Sequence, residues 1–417
     1  MELNLKYSLV NEKEFTSKDF QKKLNDIHQR MHAKKDAGLT WLDWPINYDK
    51  KEFAKVLKLA REIEKTSDVL LVVGIGGSYL GARAGIDMLA KNSKLEVVFA
   101  GTSFDYSDLI QKLDNLKNKD VTVNVISKSG TTVEILSTLN IVERFMKNKY
   151  KTNYKSRIIY TTDKTNGYLR KNATLNGIET LTVPDSMGGR FSVLSSVGLL
   201  PLACAGVNIK KIMEGATAAY ECLKTPVLKD NIAYQYAIYR YLINKKMGKQ
   251  VELFSSFHTQ MASFGKWLQQ LFAESDGKEG KGLFITQLTF STDLHSVGQY
   301  IQQGSPIVAE TFLKVKNQAK DTTLSNIALD SPIKFLDGKS FNDINNAAFE
   351  GTVAAHHDAN VPIAIVSIDN LDEYNFGYLV YFFELACAAG GYLLGINPFN
   401  QPGVEQYKSY MKNLLKN

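Results

Sequence analysis

The run Val69 to Val73 (VLLVV) passes without a break into GIGGSYLGAR, and this junction constrains the chain more than any other feature. A strand with no polar face must be covered on both sides, and glycines directly after it demand a sharp turn into a helix. The same unit then recurs. Leu95 to Ala100, Val121 to Ile126, Arg157 to Thr161 and Glu179 to Val183 are short runs rich in Val, Ile and Thr, each separated from the next by a helix-length segment. Such alternation predicts an α/β protein whose mostly parallel sheet is layered between helices.

A helical connection around Asn208 to Lys245 leads to a second α/β block, with strands expected at Gln250 to Phe254, Ile307 to Val315 and Pro362 to Ile368. Before the first block, residues 15 to 65 carry apolar positions at helical spacing, interrupted by the Trp-rich segment Thr40 to Asn47 (TWLDWPIN), where Pro45 bends the chain. At 417 residues, with 44% hydrophobic and 11% aromatic side chains, there is material for two such domains. The net charge of +7 is spread over many lysines, so small anions fit as partners better than nucleic acid.

Cys204, Cys222 and Cys387 stand far apart without metal-ligand spacing, which favours a reducing compartment over a disulfide framework or a zinc site. The segment MELNLKYSLVNEKEF lacks the apolar core and cleavage site of a signal peptide. Phe376 to Ile396 is long enough to span a bilayer, but Glu384 and the pair Gly390 and Gly391 point to a buried helix.

Two turns carry anion-binding chemistry. In GIGGSYLG, Gly74, Gly76 and Gly77 let the backbone expose N–H groups at a helix start, and Ser78 adds a hydroxyl. A dinucleotide fingerprint would place glycine at the sixth position, where this chain has Tyr79. The second turn, SKSGTT, offers Ser127, Ser129, Thr131 and Thr132 around Gly130. Taken singly it also reads as a serine-capped helix with no ligand. Two such turns at one edge of a parallel sheet favour a phosphate cradle, because ligands of open α/β sheets sit beyond the carboxyl ends of the strands.

From about Val69 onward the chain resembles the glucose-6-phosphate isomerase (phosphoglucose isomerase) family. The resemblance rests on GIGGS, SKSGTT, DSMGGRFSVLSSVG from Asp185, ESDGKEGKG from Glu274, and GYLLGINPFNQPGVEQYK ending at Lys408. The compact length is like the shorter bacterial branch. It implies two sugar-isomerase (SIS-type) domains, each an αβα sandwich, here expected over residues 66–205 and 206–396. A helical lead-in occupies residues 1–65, and residues 397–417 form a C-terminal segment. It also implies a homodimer with active sites shared between subunits, a sugar phosphate substrate and no cofactor, while the cysteine spacing, the spread charge and the buried-helix reading above lead to the expectation of a cytoplasmic protein that binds neither nucleic acid nor membrane.

Aldose–ketose conversion needs a base that moves a proton between adjacent carbons, groups that open the sugar ring, and a cation facing the enediolate. Glu274 follows the apolar positions Met261, Phe264, Trp267, Leu268 and Leu271 to the edge of a helix, where partial desolvation makes a carboxylate a better base. The resemblance assigns it proton transfer. By the same resemblance, His295 opens the ring from the neighbouring subunit, and Lys408 on the last helix opens the ring and contacts substrate. Arg190, after two glycines expected to leave room for a ligand, faces the enediolate, and Gln270 contacts the phosphate end. Gly77, Ser78, Ser127, Ser129 and Thr132 line the phosphate.

His356 and His357 point in different directions and lack further ligands for a metal, His258 reads as a packed or capping residue, and Glu134 as an acid at a helix start. A non-catalytic sugar-phosphate sensor would keep the cradle without needing Glu274, His295, Arg190 and Lys408 together. It would usually carry a DNA-binding module, which the sequence does not show.

Overall fold

A computed structural model of the chain describes residues 1–90 and 93–416. Among them ten strands form: β1 (Glu2–Asn4), β2 (Val69–Val73), β3 (Glu96–Ala100), β4 (Val121–Ile126), β5 (Ile158–Thr162), β6 (Glu179–Thr182), β7 (Val251–Ser256), β8 (Phe284–Thr289), β9 (Val308–Asn317) and β10 (Ile363–Asn370). They make two five-stranded sheets, one in each of two compact units. The cradle unit comprises Gln29–Glu221 and Phe376–Glu384, and the terminal unit Met1–His28, Cys222–Asn375 and Leu385–Asn417.

The sheet of the cradle unit runs β3-β2-β4-β5-β6 and is parallel throughout. Every residue of β2 and of β4 is buried, as the apolar run VLLVV requires. Val69, Leu71 and Val73 pack with Ile135, Leu139, Val142 and Met146 of the helix Val133–Tyr150. The helix Ser196–Cys204, apolar on all sides, lies with Lys50–Thr66 and also against β2. Each fully buried Val or Leu contributes about 1.5–3 kcal/mol, so this sheet holds the turns at its edge in fixed places.

The terminal unit's sheet runs β1-β10-β9-β7-β8, parallel except for β1, which pairs antiparallel with β10. Two strands were not expected. β8 follows the glycine- and lysine-rich KEGKG stretch and mixes polar residues into FITQLT, and β1 is three residues long. Behind the sheet, Arg240 bonds Glu252 at 2.7 Å and Asp276 at 2.5 Å, all three side chains buried. The helix Glu373–Leu393 has the length and apolarity of a membrane span, but 89% of that window is buried in the protein.

Candidate active site

The cradle is built by topology before chemistry. β2 and β4 are adjacent, with Val73 opposite Val125. From β2 the chain proceeds to β3 on one side, and from β4 to β5 on the other. The two connections therefore diverge and open a crevice at the carboxyl edge, where GIGGS and SKSGTT lie.

In the first turn Gly76–Ser78 forms a single helical turn ahead of the helix Leu80–Leu89, and no side chain caps either start. In the second, the Ser127 hydroxyl accepts from the Gly130 N–H at 3.1 Å and pairs with the Thr132 hydroxyl at 3.2 Å. Ser129 Oγ accepts from the Thr131 N–H at 3.2 Å. Gly130 sits at φ +63, and a Cβ there would stand 2.7 Å from the Leu169 nitrogen. Thr132 occupies the N-cap position of Val133–Tyr150 yet makes no side-chain cap bond. These hydroxyls thus fold the turn instead of capping the helix, leaving the positive end of its dipole for an anion. Ser127 is only 3% exposed, so it shapes the turn, while Ser78 and Thr132 are part-exposed and Ser129 exposed.

A third loop closes on the first turn. A Cβ on Gly77 would lie 2.2 Å from the carbonyl carbon of Gly189 and 2.6 Å from the Arg190 nitrogen. The expected room at Gly188 and Gly189 themselves remains, since a Cβ there would meet only Phe191 at 3.7 Å and the Gly77 Cα at 3.8 Å, respectively, while Arg190 is 1% exposed. Lys128, which the sequence reading passed over, donates from Nζ to the Met187 carbonyl at 3.2 Å and so ties SKSGTT to the arginine loop. Burial holds its ammonium below the usual lysine range, against the opposing pull of Asp185 and Asp163.

In the terminal unit, the helix Ala262–Asp276 carries both Gln270 and Glu274, one turn apart on one face. Gln270 Nε2 donates to Glu274 Oε2 at 2.9 Å, and Gln270 Oε1 is buried with no hydrogen-bond partner among the described residues. Glu274 is half-buried and lies two residues inside the helix end, which Asp276 anchors through Arg240. His295 is exposed near the start of the helix Leu294–Gln303. Lys408 is exposed on Glu405–Leu414, bonded to Glu405 at 2.8 Å, and no residue of that helix is buried. Of the site residues expected in this unit, Gln270 and Glu274 are in direct contact.

His356 is buried and bonds Glu310 at 2.7 Å, whereas the ring of its neighbour His357 packs edge-on to Tyr7. Among the described residues no cluster of metal-ligating side chains forms.

The two α/β units, one with two helix starts at its switch point that no side chain caps, have the fold of the phosphosugar-isomerase class. The chain belongs to the phosphoglucose isomerase family, whose sequence profile matches residues 58–417. A glucose-6-phosphate isomerase of Clostridioides difficile is 48% identical, over 93% of this chain and 90% of the relative. Among solved structures, a hypothetical protein of Thermus thermophilus is similar with TM-score 0.91 at 25% identity, covering 100% of both chains. A glucose-6-phosphate isomerase of Chlamydia trachomatis has TM-score 0.85 at 21% identity, over 99% of this chain and 88% of that one, and supports the fold.

Proposed function

We propose that this chain interconverts glucose 6-phosphate and fructose 6-phosphate through a cis-enediolate, as a cytoplasmic homodimer of glycolysis and gluconeogenesis that needs no cofactor, nucleic acid or membrane. The observation that carries the reading is the Glu274 carboxylate, held by Gln270 on a half-buried helix end in a chain that also has an uncapped phosphate cradle. Ser78, Ser129 and Thr132 hold the phosphate, and Gly77 and Ser127 line it by shaping the two turns that present them. Glu274 takes the proton from C2 of the open aldose and returns it to C1. Gln270 uses one amide hydrogen to orient Glu274 and the other toward the phosphate end.

Arg190 stabilises the enediolate, since a guanidinium stays charged at any working pH. His295 and Lys408 open the ring by passing protons between the ring oxygen and the anomeric hydroxyl. The exposure of His295 suits donation to a neighbouring subunit. A dimer is further supported by bare apolar side chains in the terminal unit, among them Leu329 at 89% and Phe335 at 74% exposure.

A sensor would need the cradle alone, and membership of an isomerase family does not favour it. A coupled assay of fructose 6-phosphate conversion by the purified chain, run with chelator, tests the proposal. Turnover is expected in the wild type, with a loss of at least about a hundredfold in Glu274→Gln, the scale of general-base catalysis. Sugar-phosphate binding without turnover would establish the sensor instead, and near-normal turnover in Glu274→Gln would remove the base assignment.

A further inference from the structure

The Trp-rich segment that interrupts the lead-in helices is not a linker. Within the cradle unit it grips the loop that carries Arg190 at three successive points. The Thr40 hydroxyl donates to the Asp185 carbonyl at 2.6 Å, at the start of the loop. Trp41 stacks on Phe191, with ring centroids 5.1 Å apart and planes 24° from parallel. The Trp44 indole N–H donates to the Leu194 carbonyl at 2.8 Å, beyond the loop's far end. Gly77 presses on the same loop at Gly189 and Arg190.

Trp41 is 1% exposed and its Nε1–H has no acceptor among the described residues. An orphaned buried donor costs about 1–3 kcal/mol, so the position is held by the ring and not by the polar group. The ring is itself wedged, with Tyr381 6.1 Å away on a tilted plane and the Tyr381 hydroxyl donating to the Leu42 carbonyl at 2.9 Å. Phe191 in turn lies beneath the Arg190 guanidinium, 5.6 Å from ring centroid to Cζ.

We propose that Thr40, Trp41 and Trp44 are positioning residues for Arg190, with Trp41 acting through Phe191 to hold the guanidinium where enediolate charge develops. This rests on the isomerase reading above, which gives Arg190 its role. Displacing a charge-stabilising group by about an ångström can lower a rate by roughly a hundredfold. A group that meets only developing charge affects kcat and leaves KM, which is set here by the phosphate cradle.

The test compares Trp41→Leu, Trp41→Phe and Thr40→Val, each corrected for folded fraction. Trp41→Leu is expected to lower kcat roughly 10- to 100-fold with KM nearly unchanged, and Trp41→Phe to recover most of the loss. In an Arg190→Lys background, Trp41→Leu should cost little more, because both changes remove one interaction. Affinity for 5-phosphoarabinonate, whose carboxylate mimics the enediolate, should fall about as far as kcat, while affinity for inorganic phosphate holds.

Unchanged kcat with only a lowered melting temperature would overturn the proposal, as would full additivity with Arg190→Lys. Should Trp41→Leu not fold, Thr40→Val, which removes a hydroxyl at nearly constant volume, must still lower kcat several-fold, and an unchanged kcat there would likewise sink the idea. A wild type inert in isomerisation would fail the functional reading alone, and the ratio of the two binding affinities would still decide the positioning role.

Discussion

At Gly77 the backbone of one phosphate turn lies so close to the arginine loop that a single methyl group would meet the Gly189 carbonyl carbon at 2.2 Å. Gly77→Ala therefore cannot be absorbed by a side-chain rotation and must move one turn away from the other. We expect a stability loss of about 1–3 kcal/mol, the usual cost of overpacking, together with loss of isomerase activity; melting curves and kcat measure the two effects. An alanine variant as stable and active as the wild type would show that the contact is slack. The glycine was visible in the sequence as a turn former, but its partner, more than a hundred residues later, was not. The four hydroxyls of SKSGTT were equally plain, while the burial of Ser127 and the bond from Lys128 to Met187 depend on how the turn folds back. Local pattern names the residue types of a site, and long-range contacts decide which of them face a ligand.

Elements were legible where burial is complete. The central strands β2, β4 and β5 of the cradle sheet lie within a residue of the runs that announced them, because a two-sided covering favours near-continuous apolar sequence, whereas its partly buried edge strands β3 and β6 were announced by Val and Thr content alone. β8 was missed for the opposite reason, being an edge strand with polar positions behind a glycine-rich approach. The helix Glu373–Leu393 was read as buried, with Glu384 counting against a membrane span, and that side chain is the one worth testing. Its Oε1 has no hydrogen-bond partner among the described residues, and burial pushes its carboxyl well above the usual carboxylate range. A folded state that holds the proton more tightly than the unfolded chain is favoured at low pH and loses that advantage as the pH rises from about 4 upward. Glu384→Gln, which cannot ionise, should therefore gain in melting temperature relative to the wild type between pH 5.5 and pH 8.5. A constant difference between the two proteins across that range would mean that the carboxyl titrates normally.

For the whole molecule, the proposed division of labour gives the cradle unit the phosphate and the enediolate charge, and the terminal unit the proton transfers. Neither set of residues is a contiguous motif, and only the resemblance to a known family joined them in the sequence. If His295 serves a neighbouring subunit, mixing inactive His295→Ala and Glu274→Gln subunits should restore part of the activity in the hybrids, since one of the two sites then has both groups intact. Dead hybrids would place His295 in its own subunit's site. The central claim is that one carboxylate carries a proton between C2 and C1, and the fate of a labelled hydrogen tests it most directly. With glucose 6-phosphate deuterated at C2, the wild type should deliver part of the label to C1 of fructose 6-phosphate and release the rest to water, because a base that holds the proton briefly exchanges it with solvent. Glu274→Gln should do neither. Complete retention of the label in the wild-type product, or transfer that persists in Glu274→Gln, would contradict the mechanism.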